Sequence, residues 1–100
     1  MNPQAALKAI VEPRRRELLA LLRDRGALSV GELADQVDVS QQAVSQHLKV
    51  LEDAGLVEAR REGTRHIYAV RPDGFRPIEE FVAGFWSDHL QKLKRSVERK

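Results

Sequence analysis

The chain has 100 residues, no cysteine and a formal net charge of +2, so one domain with one modest core is expected, and any polyanion must be met by a local patch. A chain this small gains from burying further surface against a second copy. Disulfides and thiolate metal sites are excluded, no run approaches the ~20 apolar residues of a membrane span, and Met-Asn-Pro-Gln lacks the build of a signal peptide; a cytosolic chain with no membrane partner is expected.

No repeat, low-complexity tract or long linker divides Met1–Lys100, which reads as a single unit. Residues 3–12 put Ala6, Leu7, Ile10 and Val11 on one side of a short helix. Glu12-Pro13 breaks it, because the residue before a proline is pushed out of the helical region, and Pro13 is suited to start the next helix. That helix, Pro13–Arg25, carries Leu18, Leu19, Leu21 and Leu22, and Gly26 ends it. Arg14, Arg15 and Arg16 fall in its first turn, where cations oppose the helix dipole. Either they meet phosphates or an acidic partner, or they form a solvated or intramolecularly paired cluster, which is the commoner fate of a charge run.

Ser29-Val30-Gly31-Glu32 fits a capping box, and Val30, Leu33, Ala34 and Val37 give a short apolar helix. Asp38-Val39 then separates it, with almost no loop, from a second helix over residues 40–55. Ser40 is a favoured N-cap there, and Gly55 can take the left-handed conformation that ends a helix. Val44, Leu48 and Leu51 share the buried face of this second helix. Its opposite ridge carries Gln42, Ser45, Gln46 and Lys49, amide and hydroxyl tips able to donate and accept toward base edges, with a lysine for phosphate or guanine. Short helix, tight turn and capped second helix make a helix-turn-helix over residues 29–55, whose second helix enters the major groove; the alternative is an αα-hairpin in some other bundle.

After Gly55 the period changes from helical to alternating. Residues 56–62 and 65–70 read as two strands around Gly63-Thr64, with glycine in the first loop position suiting a type II′ turn. In that register Val57, Ala59, Tyr68 and Val70 share an apolar face that should lie on the helices. Glu58, Arg60, Glu62, Arg65, Ile67 and Ala69 share the other. The tip presents Arg60, Arg61 and Arg65 around Thr64, so the hairpin over residues 56–70 reads as a wing reaching the DNA backbone or minor groove, an ordinary charged hairpin end being the alternative.

Arg71-Pro72-Asp73-Gly74 is a turn cluster. Residues 77–98 then read as a long last helix with Ile78, Phe81, Val82, Phe85, Trp86, His89, Leu90, Leu93 and Val97 on a wide apolar stripe. Such a helix is about 33 Å long, more than a core this small can cover. A second copy is the economical partner. The expected interface is Ile78, Phe81, Val82, Phe85, His89 and Leu93 with Leu7, Ile10 and Val11 of the first helix, giving a two-fold dimer that offers two recognition helices to successive major grooves. The alternative folds the helix back onto its own domain. The fold class is therefore mainly α with a small β-hairpin, a winged helix-turn-helix whose N- and C-terminal helices form a dimer interface.

VSQQAVSQHLKVLEDAGLVEARREGTRHIYAV, residues 39–70, resembles the ArsR/SmtB family of winged-helix repressors, whose recognition segment runs V-S-Q-x-x-V-S-x-H-L-K-V-L-x-x-A-G-L-V. The upstream ALKAIVEPRRRELLALL is similar to that family's entry to its second helix, with Glu12-Pro13 where Asp-Pro is usual. The resemblance implies a homodimeric repressor that binds an imperfect inverted repeat in its own promoter region and is loosened from it by an inducer. The sites expected to meet double-stranded DNA are Ser40, Gln41, Gln42, Ser45, Gln46, Lys49, Arg60, Arg61, Thr64 and Arg65.

The chain departs from the family's metal sensors, which use a Cys-x-Cys type motif on the first helix of the helix-turn-helix, or an Asp/His set with a later His and Glu on the last helix. Here Val30-Gly31-Glu32-Leu33-Ala34-Asp35 has no cysteine, and Asp88 and His89 are adjacent, with only Glu98 beyond. Adjacent helical residues do not point the same way, so no metal and no cofactor is expected. Phe85-Trp86-Ser87-Asp88-His89-Leu90 looks like the Trp-containing tail of metal-independent members, and Trp86 is expected to pack rather than line an inducer pocket. His47 is expected to be a buried hydrogen-bonding residue, with a phosphate contact as the alternative. An enzyme is disfavoured, since no phosphate loop or nucleophile motif is present and the 3 histidines, His47, His66 and His89, fall on different elements. A winged interaction module without DNA specificity and a metal-responsive repressor are the remaining rivals.

Overall fold

The computed structural model describes residues 3–98, the side chains of residues 87–91 and 95–98 excepted. Helix α1, Gln4–Val11, is followed by α2, Pro13–Arg25, with only Glu12 between them. Glu12 is extended, and its carboxylate accepts from the Arg15 amide at 3.1 Å, capping α2. The arginine run is explained by the same junction. Arg15 Nε donates to the Ala9 carbonyl at 2.6 Å, and Arg16 Nη1 donates to the carbonyls of Ile10 at 2.6 Å and Val11 at 2.9 Å. These are the terminal carbonyls of α1, which lack helical partners and favour a cation. Arg14 pairs with Glu17 at 3.0 Å. The cluster is intramolecularly paired, and a placement unfavourable for α2 is favourable for α1.

Strand β1, Leu28–Ser29, leads into α3, Val30–Ala34. Both halves of the capping box form: the Glu32 amide donates to Ser29 Oγ at 3.1 Å, and the Ser29 amide donates to Glu32 Oε1 at 2.9 Å. The near-absence of a loop expected at Asp38-Val39 is corrected. Helix α3 stops at Ala34, and residues 35–40 run as turn and bend to the next helix. Val37, expected on the helix, instead packs from this connector against the core.

Helix α4, Gln41–Asp53, starts from Ser40, whose hydroxyl accepts from the Ala43 amide at 3.1 Å. It ends in a Schellman arrangement, with Gly55 at φ 80, the Leu56 amide on the Leu51 carbonyl at 3.0 Å and the Gly55 amide on Glu52 at 2.9 Å. Val44, Leu48 and Leu51 are fully buried against Leu18 and Leu22 of α2, Leu33 of α3, and Leu56 and Val57.

Strands β2, Val57–Glu62, and β3, Arg65–Val70, pair antiparallel with Glu62 opposite Arg65 and Val57 opposite Val70. Gly63 has φ 64 and, among the described residues, no non-glycine residue, Thr64 included, has a positive φ, which fits a type II′ turn with glycine first. The sheet has a third member that alternation does not reveal: β1 pairs with the outer edge of β3, giving the order β1-β3-β2. The two-face expectation also needs correcting. Ile67, placed on the solvent face, is only 6% exposed beneath Glu58, Arg60 and Ala69 of that face, whereas Ala59, placed on the helix face, is exposed. The root of the wing, Val57 with Tyr68 and Val70, packs on the core, and the remainder projects beyond the helices.

A 3-10 turn, Pro72–Phe75, then delivers the chain to α5, Arg76–Glu98, about 34 Å long. Phe75 and Ile78 pack on the core, but Phe81, Val82, Phe85, Trp86 and Leu93 are exposed. Ile10 and Ile78, both expected at a dimer interface, pack on their own core, while Leu7 is half-buried and Val11 exposed. The side chains of Asp88, His89, Leu90, Val97 and Glu98 lie outside the described residues. No helix among the described residues is long and apolar enough to cross a membrane.

Candidate nucleic-acid interface

The buried seam of α4 forces Gln41, Gln42, Ser45, Gln46 and Lys49 outward, and all five are exposed. Ser40 is exposed as well, but its hydroxyl is engaged as the helix cap. Between the start of α4 and the wing lies an open groove of about 580 Å³, lined by Ser29, Val30 and Gly31 of the β1–α3 junction, Gln41 and Ser45 of α4, and Thr64, Arg65, His66 and Tyr68 of β3 and its turn. The fold thus brings four of the expected DNA contacts, Gln41, Ser45, Thr64 and Arg65, around one concavity. Gln42, Gln46 and Lys49 continue along the exposed ridge of α4 outside it. Arg60 and Arg61 stand farther along β2 and do not line it.

The groove adds participants that composition does not point to. His66 is drawn in because it follows Arg65 on β3, and the Ser29–Gly31 backbone because β1 lies beside that strand. His47 is half-buried, and its ring makes no hydrogen bond among the described residues. The buried hydrogen-bonding role expected for it is therefore corrected: among the described residues no protein group engages the ring, and its nitrogens are not buried.

Most of the expected phosphate-binding cations already carry an acidic neighbour. Lys49 Nζ is 3.3 Å from Asp53 Oδ1, Arg60 Nη2 is 3.7 Å from Glu62 Oε2, and Arg65 Nη2 is 2.8 Å from Glu32 Oε1. Arg61 makes no ion pair among the described residues. All these pairs are more than half exposed on the cation, where an ion pair contributes only about 0–1 kcal/mol, so none of them bars the cation from meeting a phosphate.

Glu32, whose carboxylate meets both Ser29 and Arg65, is shifted by this setting. The backbone amide of Ser29, then its side chain and the Arg65 guanidinium, hold the Glu32 carboxyl below the ordinary glutamate range. A lowered folded-state value means that Glu32 contributes stability fully present above the ordinary range and lost as the pH falls through the lowered value. Acid thermal melts should therefore show a smaller pH-dependent loss for Glu32→Gln, which cannot titrate, than for the parent chain. An identical pH profile for the two would remove Glu32 from the acid response.

Comparison with known proteins agrees with this geometry. Residues 10–60 match the family model described as a helix-turn-helix domain. The chain is 42% identical over 97 residues to the HTH-type transcriptional regulator Rv2034 of Mycobacterium tuberculosis, covering 97% of this chain and 90% of that protein. Among solved structures, a protein titled an ArsR family transcriptional regulator superposes with a TM-score of 0.77 at 27% identity, over 89% of this chain and 94% of that one. The homodimeric winged helix-turn-helix DNA-binding domain Mb0332 of Mycobacterium bovis superposes with a TM-score of 0.68 at 32% identity, over 87% and 80% of the two chains.

Proposed function

Because this chain belongs to the ArsR family of winged helix-turn-helix transcriptional regulators, DNA-binding proteins and not enzymes, we propose that it is a homodimeric, metal-independent repressor reading an inverted repeat upstream of its own gene. The observation that carries the reading is the exposed row Gln42, Ser45 and Gln46 on a helix whose other face is fixed in the core beside a wing. The amides of Gln42 and Gln46 and the Ser45 hydroxyl pair with base edges in the major groove, Gln41 meets the adjoining backbone, and Lys49, Arg60, Arg61, Thr64 and Arg65 meet phosphates. Ser40 acts by fixing the helix start.

Two recognition helices require two chains, and the exposed apolar stripe of α5 supports that. The chain presents 7242 Å² of surface, against about 5,700 Å² for a monomer of its mass. The proposed partner helix lies over the exposed Phe81, Val82, Phe85 and Leu93, flanked by Leu7 and Val11, with His89, whose side chain lies outside the described residues, completing the interface expected from the sequence. Metal independence rests on the cysteine-free α3 segment. Relief of repression then falls to an inducer other than a thiolate-bound metal, in the cytoplasm where the operator lies.

The test is fluorescence anisotropy on the DNA upstream of the gene and on random DNA, over a salt series and with or without zinc. A specific complex well above random, steeply salt-dependent and indifferent to zinc, is expected. Equal weak binding to both DNAs would replace this reading with an interaction module, and a zinc-dependent affinity with a metal sensor. Gln42→Ala or Gln46→Ala should each cost about 1–3 kcal/mol on the operator with random binding unchanged. Equal losses on both DNAs would remove that glutamine from base reading.

A further inference from the structure

The Arg65–Glu32 pair joins residues 33 apart in sequence and ties the wing to the first helix of the helix-turn-helix. The register of the small sheet brings them together. Ser29 lies opposite Ile67, and two residues further along, the same antiparallel pairing sets Arg65 level with the first turn of α3. Glu32 Oε1 receives two donors there, the Ser29 amide at 2.9 Å and Arg65 Nη2 at 2.8 Å. One carboxylate therefore caps α3 and holds the wing guanidinium at the edge of the groove that Arg65 lines.

We propose that Glu32 is a positioning residue for DNA binding: it backs Arg65 from the protein side and leaves the rest of the guanidinium fork turned to a DNA phosphate at the groove. The proposal rests on reading Arg65 as a phosphate contact. A guanidinium has five donors in a rigid plane, and the ion pair uses Nη2, leaving Nε and Nη1 without a protein acceptor among the described residues. A long side chain held in its binding geometry before DNA arrives loses less freedom on binding. Its Glu32 partner is half-exposed, so the pair adds little to folding, and its use lies in orientation.

The sign of one substitution separates this role from simple charge. Glu32 is an acidic group beside the path of a polyanion, so electrostatics alone makes its neutralisation tighten DNA binding. Positioning makes the same change weaken it. Glu32→Gln is the informative variant: its amide carbonyl preserves the α3 cap, while toward Arg65 it leaves a neutral acceptor in place of the charge that holds the guanidinium.

Anisotropy on operator and on random DNA should show Glu32→Gln binding both about three- to tenfold more weakly. Arg65→Ala should weaken both by at least as much, and the double variant should be no worse than Arg65→Ala alone. Arg65→Lys, which keeps the charge and loses the fork without touching the cap, should reproduce the Glu32→Gln loss even if that variant folds poorly. Unchanged or tighter binding by Glu32→Gln, full additivity in the double variant, full affinity in Arg65→Lys, or no loss in Arg65→Ala would each overturn the proposal. Because random DNA reports the phosphate contact as well as the operator does, the outcome is independent of whether the α4 glutamines read bases.

Discussion

Gly74→Ala is expected to lower the stability of this protein by more than about 3 kcal/mol, the upper range for overpacking a tight site. A β-carbon at Gly74 would lie 2.8 Å from the carbonyl carbon of Gly55, inside contact with that carbonyl's oxygen, and 3.4 Å from the Leu56 α-carbon. All three are backbone atoms. They cannot rotate aside as a side chain would, and they belong to the Schellman end of α4. Leu56, the next residue, is fully buried, and its carbonyl accepts from the Arg71 amide at 2.9 Å. The turn carrying Gly74 is thus laid directly on the end of α4, and the added methyl must either push α5 away from the core or distort the end of the recognition helix. At about 4–8 °C per kcal/mol for a domain of this size, the thermal midpoint should fall by ~12 °C or more. Gly84→Ala is the control: it lies on α5 with nothing near its missing β-carbon, and alanine there should be neutral or slightly stabilising. Equal melting of the Gly74 variant and the parent would mean that the turn is free to move off α4.

Gly55 and Gly74 also divide what the sequence discloses from what it conceals. Gly55 follows a complete apolar seam and ends it, so its role can be read from neighbours within one helical turn. Gly74 sits in a cluster of turn residues whose composition explains it fully until the chain is folded, and only then does its approach to Gly55 appear. The same contrast runs through the site. The start of α4 at Ser40, its buried seam and its polar ridge are local, as is the hairpin register set by a two-residue turn. Strand β1 is Leu28–Ser29 alone, too short for an alternation to register, and it supplies the alignment that brings Arg65 to Glu32. Arg15 and Arg16 read as misplaced at the head of α2 because the carbonyls they serve belong to the preceding helix, beyond the break at Glu12. Local periodicity also could not foretell the burial of Ile67, which depends on what lies over a face rather than on which face it is.

Phe85→Asp is expected to convert a dimer into a monomer and to weaken binding to a full two-half-site operator by more than about 100-fold, the scale on which linked sites exceed single ones. Phe85 is 66% exposed and stands edge-on to Phe81, with ring centroids 5.0 Å apart. The radius of gyration, 17.6 Å against about 13 Å for a compact chain of this length, reflects how far α5 reaches from the body that the core holds together. An aspartate at that position leaves the core of α2, α3 and α4 untouched, so the variant should melt as a folded protein while sedimenting with the mass of one chain. Burying its charge against a partner helix costs far more than the lost aromatic contact alone, since no cation on the stripe's described residues stands ready to pair with it. Binding to a single half-site, which needs one α4 and one wing, should be close to that of the parent protein. The two measurements separate the causes. A monomer with normal half-site binding places the loss in the coupling of two recognition helices, whereas a variant that remains dimeric moves the interface away from α5 and leaves its apolar stripe to another partner.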